Sequence, residues 1–318
     1  MSHMTNPLAT PDRLFQRRSF GALPLELQDT IFFATQCLTQ AAGILLQLPQ
    51  SVTAQANVLL ARYWLVEPLM AHEFSDVSAA TLYLTAKCSP HPRSPRDLSN
   101  VYAYLLSASS TFFSPPTAPN NNNNNNPSAY YVSETAYQAF HTRLLALEGR
   151  VLYALSFDTH VALPHPLAVT YLQALEFLHV PKETIGGKAV QYLNAALLSP
   201  QMLYLTSQPN TLAVAAIYNA ARDVGAKMPE CEWWEVFDVE REELGFLVVG
   251  MRSVEGWGRK LREDMKAMGV ERGMIMRKHV EAELSRRGLG VRIGNKVDAE
   301  EEAARMMDEK MEAMEVAG

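Results

Sequence analysis

Cysteine is scarce: Cys37, Cys88 and Cys231 are the only three in 318 residues. They lie far apart and are odd in number, so no disulfide framework is implied and a reducing compartment is expected. No run of about 18 uncharged apolar residues appears, which excludes a transmembrane helix from the expectation. The opening Met-Ser-His-Met-Thr-Asn-Pro has no apolar signal core, so an intracellular protein is expected. No compact basic cluster reads as a nuclear import signal. Charge is also sparse, at 19% of residues against 48% hydrophobic, the balance of a globular chain. The net charge of −6 argues against affinity built on phosphate neutralisation, and no direct nucleic-acid binding is expected. The helical stretch from Asp298 onward is mainly acidic, so it is not expected to lie on a membrane surface.

The motifs of catalysis and cofactor binding are missing as well. Gly288-Leu-Gly290-Val-Arg-Ile-Gly294 has the wrong spacing for a dinucleotide fingerprint and follows no predicted strand. Gly186-Gly187-Lys188 lacks both the preceding glycine and the following Ser or Thr of a phosphate loop. Cys88 and His91 have no second ligand pair at finger-like spacing, and His160 and His165 flank a proline turn without a helical metal motif. There is no nucleophile elbow. The chain is therefore expected not to be an enzyme, with no cofactor and no metal.

What the sequence does contain is helical periodicity broken by proline. A first helix is expected from about Leu25 to Leu48, with Ile31, Ala34, Leu38 and Ala41 at helical spacing. A second starts near Ser51. Ser75 is expected to cap a third that ends before Pro90, Pro95 to open a fourth, and a fifth surrounds Glu148. Between the fourth and fifth, Pro115 to Pro127 carries an asparagine run that cannot bury a core and is expected as a disordered loop over about 110–131. Aligning Lys87 with Arg222 then places Ala80 on Ala215, Leu82 on Ile217, Tyr83 on Tyr218 and Ala86 on Ala221, an internal repeat. The expected fold is all α, two tandem five-helix repeats over 22–158 and 159–258, after an N-terminal extension 1–21. A charged helical extension over 259–318, with Ala303, Met307, Met311 and Met314 on one face, is expected to be peripheral to the body.

Two charges stand out. Lys87 continues the Val77, Ala80, Leu84 face of its helix, and Glu148 sits among Leu144, Val151 and Leu152. A carboxylate there has to be paired or hydrogen-bonded, because isolated burial costs several kcal/mol or neutralises it. Each has a plainer reading too: Lys87 complements the C-terminal end of its helix dipole, and Glu148 reaches out to solvent. Together they suggest a docking surface.

The run Ala71-His-Glu-Phe74 through Lys87, followed by Leu147 to Asp158, resembles the cyclin box, and Ala41-Ala-Gly-Ile-Leu-Leu-Gln-Leu-Pro-Gln50 is similar to the matching stretch of the L-type cyclins. The resemblance covers residues 22 to 258. It implies a regulatory subunit that forms a heterodimer with a cyclin-dependent kinase of transcription and pre-mRNA splicing, in the nucleus. It also implies that Lys87 and Glu148 hydrogen-bond the backbone around the kinase's mobile C-helix, with Leu152 and Phe157 as apolar contacts. The methionine face of the C-terminal helix, by its composition, reads first as a marginal charged helix that lies against the body or floats, with a contact to a further protein as the alternative. The chain departs from the family in Cys88-Ser89-Pro90, where many cyclins carry acidic residues, and in Thr39-Gln-Ala-Ala-Gly-Ile-Leu, where cell-cycle cyclins carry a substrate-docking patch. A cyclin-fold transcription factor and a helical scaffold without kinase activation are the alternatives.

Overall fold

The computed structural model describes residues 5–19, 23–107, 110, 131–177, 182–270 and 274–289. The asparagine run and the methionine face at 303–314 lie outside them. In chain order the helices are α1 (Pro11–Ser19), α2 (Leu25–Leu45), α3 (Gln50–Val66), α4 (Phe74–Lys87), α5 (Pro95–Leu106), α6 (Glu134–Ala154), α7 (Pro164–Ala174), α8 (Lys182–Leu197), α9 (Leu203–Thr206), α10 (Pro209–Val224), α11 (Arg241–Ala267) and α12 (Arg277–Arg286). Among the described residues there is no strand.

Local chemistry accounts for most boundaries. Pro24 and Pro49 stand immediately before α2 and α3, and Pro95, Pro164 and Pro209 open α5, α7 and α10, where the missing N–H costs nothing. Ser94 Oγ accepts the Asp97 N–H at 3.1 Å, and Ser133 Oγ accepts the Ala136 N–H at 3.3 Å. Ser75, expected as a cap, is instead buried inside α4, which starts one residue earlier behind Glu73 without a side-chain cap bond. Gly225, at φ 74, ends α10 in the left-handed conformation that glycine adopts without strain.

Two helices serve as axes. α4 is surrounded by α2, α3, α5 and α6, and α10 by α7, α8, α9 and α11. Their buried faces are rich in alanine, which lets several neighbours approach closely. The aligned pairs share their environments: Ala80 and Ala215, Leu82 and Ile217, and Ala86 and Ala221 are all fully buried, while Tyr83 and Tyr218 are both half-buried. A hydroxyl chain, Thr39 to Ser78 to Tyr102 with both links at 2.7 Å, ties α2, α4 and α5 together. In the second repeat the fourth of its five elements is a single 3-10 turn, Glu235–Phe237, held by Tyr171 and Phe237 rings 4.2 Å apart.

The repeats are joined by polar side chains. Asn57 Nδ2 donates to Gln40 Oε1, Gln40 Nε2 to Gln50 Oε1, and Gln50 Nε2 to Asn194 Oδ1, carrying a chain of amides from α2 and α3 into α8. Asn194 Oδ1 also lies 3.0 Å from His165 Nε2, so that nitrogen must carry the proton, and Nδ1 is buried without a partner among the described residues. Asn6 closes the same seam from the N-terminal side. Its side chain donates to Ala162 O and accepts the Ala162 N–H, both at 2.8 Å, while its backbone exchanges bonds with Gln208. This clasp on the N-terminal extension has no counterpart in the sequence reading.

Burial depresses the titration of His165, and burial first and neighbouring cations second depress His72 and His279. On acidification the unfolded chain therefore takes up protons before the folded one. Stability should fall as pH drops through about 6.5, by at most about 1.4 kcal/mol per pH unit for each histidine. Urea unfolding between pH 7.5 and 5.5 checks this, and His165→Gln should flatten the slope; a stability that rises on acidification would contradict it.

The described residues of the C-terminal region, 259–270 and 274–289, are part of the body, contrary to expectation. α11 runs through residue 258 without a break, and Gly258 lies so close to Phe33 of α2 that an added Cβ would meet the ring at 3.3 Å. Beyond it Met274, Ile275, Val280 and Leu284 join the main hydrophobic core. Glu283 is buried and held by Arg286 at 2.7 Å and Arg287 at 2.6 Å, which keep its carboxyl below the usual range. The Arg277 N–H donates to Glu73 Oε1 at 3.2 Å, fastening α12 to the start of α4.

Candidate partner-docking face

α4 and α6 bring the two singled-out charges together. Lys87 Nζ and Glu148 Oε1 are 3.0 Å apart, with the lysine side chain 56% exposed and the glutamate 9%. Glu148 is buried along with Leu144, Leu147 and Val151 on the face of α6 that packs on α4, as its spacing predicts. Lys87 is not buried: it is the last residue of α4, and the chain turns away at Cys88, so no neighbouring element covers it. The hydrogen bond to Glu148, then that carboxylate's charge, raises the lysine above its ordinary titration range. The ammonium also stands 5.7 Å from the centre of the Tyr83 ring. One of its three donors is used internally, leaving two facing outward.

The apolar positions surround this pair at graded depth. Leu152, one turn after Glu148, is half-buried, and its carbonyl accepts the Phe157 N–H at 2.8 Å. The Ser156 N–H bonds Tyr153 O at 3.0 Å, so α6 ends in a 6→1 and 5→2 closure of the Schellman type. Ser156 and Phe157 sit at φ 51 and 62, a conformation that side-chain-bearing residues enter at a cost. The outcome is that Phe157 projects into solvent, 69% exposed. Leu145 and Tyr153 are exposed on the same side of α6, Tyr153 at 80%, and both were missed. Their signal is only three residues before and five after Glu148, on the helix sector that a monomer has no reason to make apolar. A further link between the helices comes from Arg143 to Asp76 at 2.8 Å, and Arg150 reaches His72, just before α4, at 3.4 Å.

The second repeat carries a related but inverted arrangement. Arg222, aligned with Lys87, is exposed, and the next residue, Asp223, pairs with Arg252 of α11. Asp223 also accepts the Tyr192 hydroxyl at 2.6 Å, and that bond, with Arg252, lowers its titration. Here the acid is on the central helix and the base on the last one.

No family model matches the chain. Curated proteins do: Cyclin-L1 of Homo sapiens is 32% identical over 208 residues, covering 65% of this chain and 36% of that protein. Cyclin-L2 of Mus musculus is 31% identical over 208 residues, with 65% and 37% covered. The chain thus spans about a third of the length of these relatives. A cyclin-L1-like protein of Schizosaccharomyces pombe is 31% identical over 229 residues, 70% of this chain and 84% of that protein. Among solved structures, a chain of the yeast RNA Pol II CTD kinase CTDK-1 complex superposes with a TM-score of 0.62 at 12% identity, covering 89% of this chain and 84% of that one. A chain of the Chaetomium thermophilum CAK complex bound to ATP-gamma-S gives 0.57 at 14%, covering 91% and 93%. At those identities the likeness carries the fold alone, a cyclin fold. With the ordered cyclin-box residues in place on that fold and a fission-yeast relative matched over most of its length, the chain belongs to the cyclin-L family.

Proposed function

We propose that the chain is the regulatory subunit of a cyclin-dependent kinase that acts in transcription and pre-mRNA splicing, and that the kinase docks on the α4–α6 face. The observation that carries this reading is the Lys87–Glu148 pair: a buried carboxylate oriented by an exposed ammonium, at the edge of apolar side chains left in solvent. Family membership supports it, as does a structural neighbour whose complex is named an RNA Pol II CTD kinase. The division of labour is physical. Leu152, Phe157, Leu145 and Tyr153 lose water on docking and supply affinity, while the free donors of Lys87 and the remaining acceptor capacity of Glu148 fix orientation on backbone groups of the partner.

Because the pair is already formed at 3.0 Å, little order has to be gained on binding. A kinase C-helix held against this face stays inward, where its glutamate reaches the ATP-binding lysine, so activation is a shift between two kinase conformations. Catalysis belongs to the kinase, and a nuclear address follows from the same reading.

Pull-down from native extract with mass spectrometry should recover a stoichiometric kinase. Recovery of nucleic acid or of a non-kinase protein in its place would overturn the reading. In calorimetric titration against that kinase, Lys87→Ala should weaken binding by about 1–3 kcal/mol, since charged hydrogen bonds to groups buried on docking are lost. Arg222→Ala should leave affinity unchanged. The opposite pattern would refute the assigned face.

A further inference from the structure

Gly149 lies in the interior of α6, exposed, with helical backbone, and among the described residues no heavy atom other than the helix's own nearby backbone lies within 4 Å of where a Cβ would stand. Glycine is the least favourable residue for a helix interior after proline. Elsewhere the chain shows why it keeps one: a Cβ on Gly43 would fall 2.3 Å from Thr53 Oγ1. Among the described residues nothing requires glycine at 149. At about 100° per residue, Leu152, Leu145, Gly149 and Tyr153 follow one another around α6, starting beside Glu148. Leu145 and Tyr153 stand one turn before and one turn after the glycine, about 6 Å away along the axis on either side, and both are exposed apolar side chains. The glycine is thus the floor of a notch whose two walls are apolar, continuous with the face assigned to the kinase.

We propose that Gly149 is where the backbone of the docked kinase comes closest to this chain: a kinase segment crosses α6 in the notch, its apolar side chains falling on Leu145 and Tyr153. The inference rests on the docking reading above and adds a specificity determinant to it. A side chain at 149 would lift the crossing segment off both walls, while the free chain would gain helix propensity. Fold and docking therefore respond with opposite signs. Gly256, equally open on α11 but away from this face, supplies the control.

The test uses the full chain and, as probe, the kinase subunit recovered with the wild type. Gly149→Ala and Gly256→Ala should each raise the melting temperature by about 2 °C. In calorimetric titration Gly149→Ala should weaken kinase binding about fivefold and Gly149→Leu at least about 50-fold, with Gly256→Ala unchanged. If Gly149→Leu binds within about twofold of wild type while Lys87→Ala is weakened, the notch is wrong and the face stands. If Lys87→Ala and Leu152→Ala are silent as well, the face itself falls. A lower melting temperature for Gly149→Ala would show that the glycine serves the fold, which also overturns the proposal.

Discussion

A chain ending at residue 258 should not give a stable, soluble monomer, whereas one ending at residue 289 should. The cut falls inside α11 and removes Leu261, Met274, Ile275, Val280 and Leu284, all buried. At about 1.5–3 kcal/mol for each fully buried side chain, the loss is roughly 8–15 kcal/mol as an upper bound. That is as large as the whole stability of a typical domain. The cut also exposes what those residues cover, including Leu27 at the start of α2. It strips Glu73 of the Arg277 N–H. Size-exclusion chromatography and thermal unfolding of the two truncations decide the matter. Equal melting temperatures would mean that α12 and the end of α11 contribute nothing to the fold.

The sequence misled at this place for a definable reason. Beyond Trp257 the apolar residues are outnumbered by charges, and Glu283 breaks the apolar face of α12. Periodicity registers a charge as surface, but Arg286 and Arg287, three and four residues on, neutralise this one inside the protein. Only the tertiary arrangement, with Arg287 also reaching within 3.7 Å of Glu26, shows that the segment is packed. The clasp at Asn6 was hidden for the same kind of reason: its partners Ala162 and Gln208 are 156 and 202 residues away, and a lone asparagine has no period.

By contrast, the central helices were legible because alanine at matching spacings in two places is a pattern that packing alone explains, and proline marks where each helix begins. At the site, the burial of Glu148 follows from its neighbours at −4 and +3. The exposure of Lys87 does not, since it depends on the chain leaving the helix at the next residue. Likewise Phe157 follows an apolar run, yet two left-handed residues turn it outward, and nothing in Leu-Ser-Phe-Asp specifies that turn without glycine.

Exchanging the two site charges should separate their structural role from their recognition role. Lys87→Glu alone sets a second carboxylate against buried Glu148 and removes its cation. The expected loss in urea unfolding is about 3 kcal/mol, the low end for a broken buried pair because position 87 is open to water. Glu148→Lys alone places two ammonium groups at the same point, with a loss of similar size. The double variant, Lys87→Glu with Glu148→Lys, should recover most of that stability. The second repeat shows why: between its own central and last helices it holds Asp223 against Arg252, an acid and a base in the opposite order, so this architecture accepts either polarity. Kinase binding should not recover. Backbone groups that meet two free ammonium donors from α4 would then meet an acceptor, and affinity should stay at least about tenfold below wild type. A double variant that binds like wild type would show that the kinase does not read the polarity of the pair, and a double variant as unstable as either single one would show that the first repeat lacks the tolerance of the second.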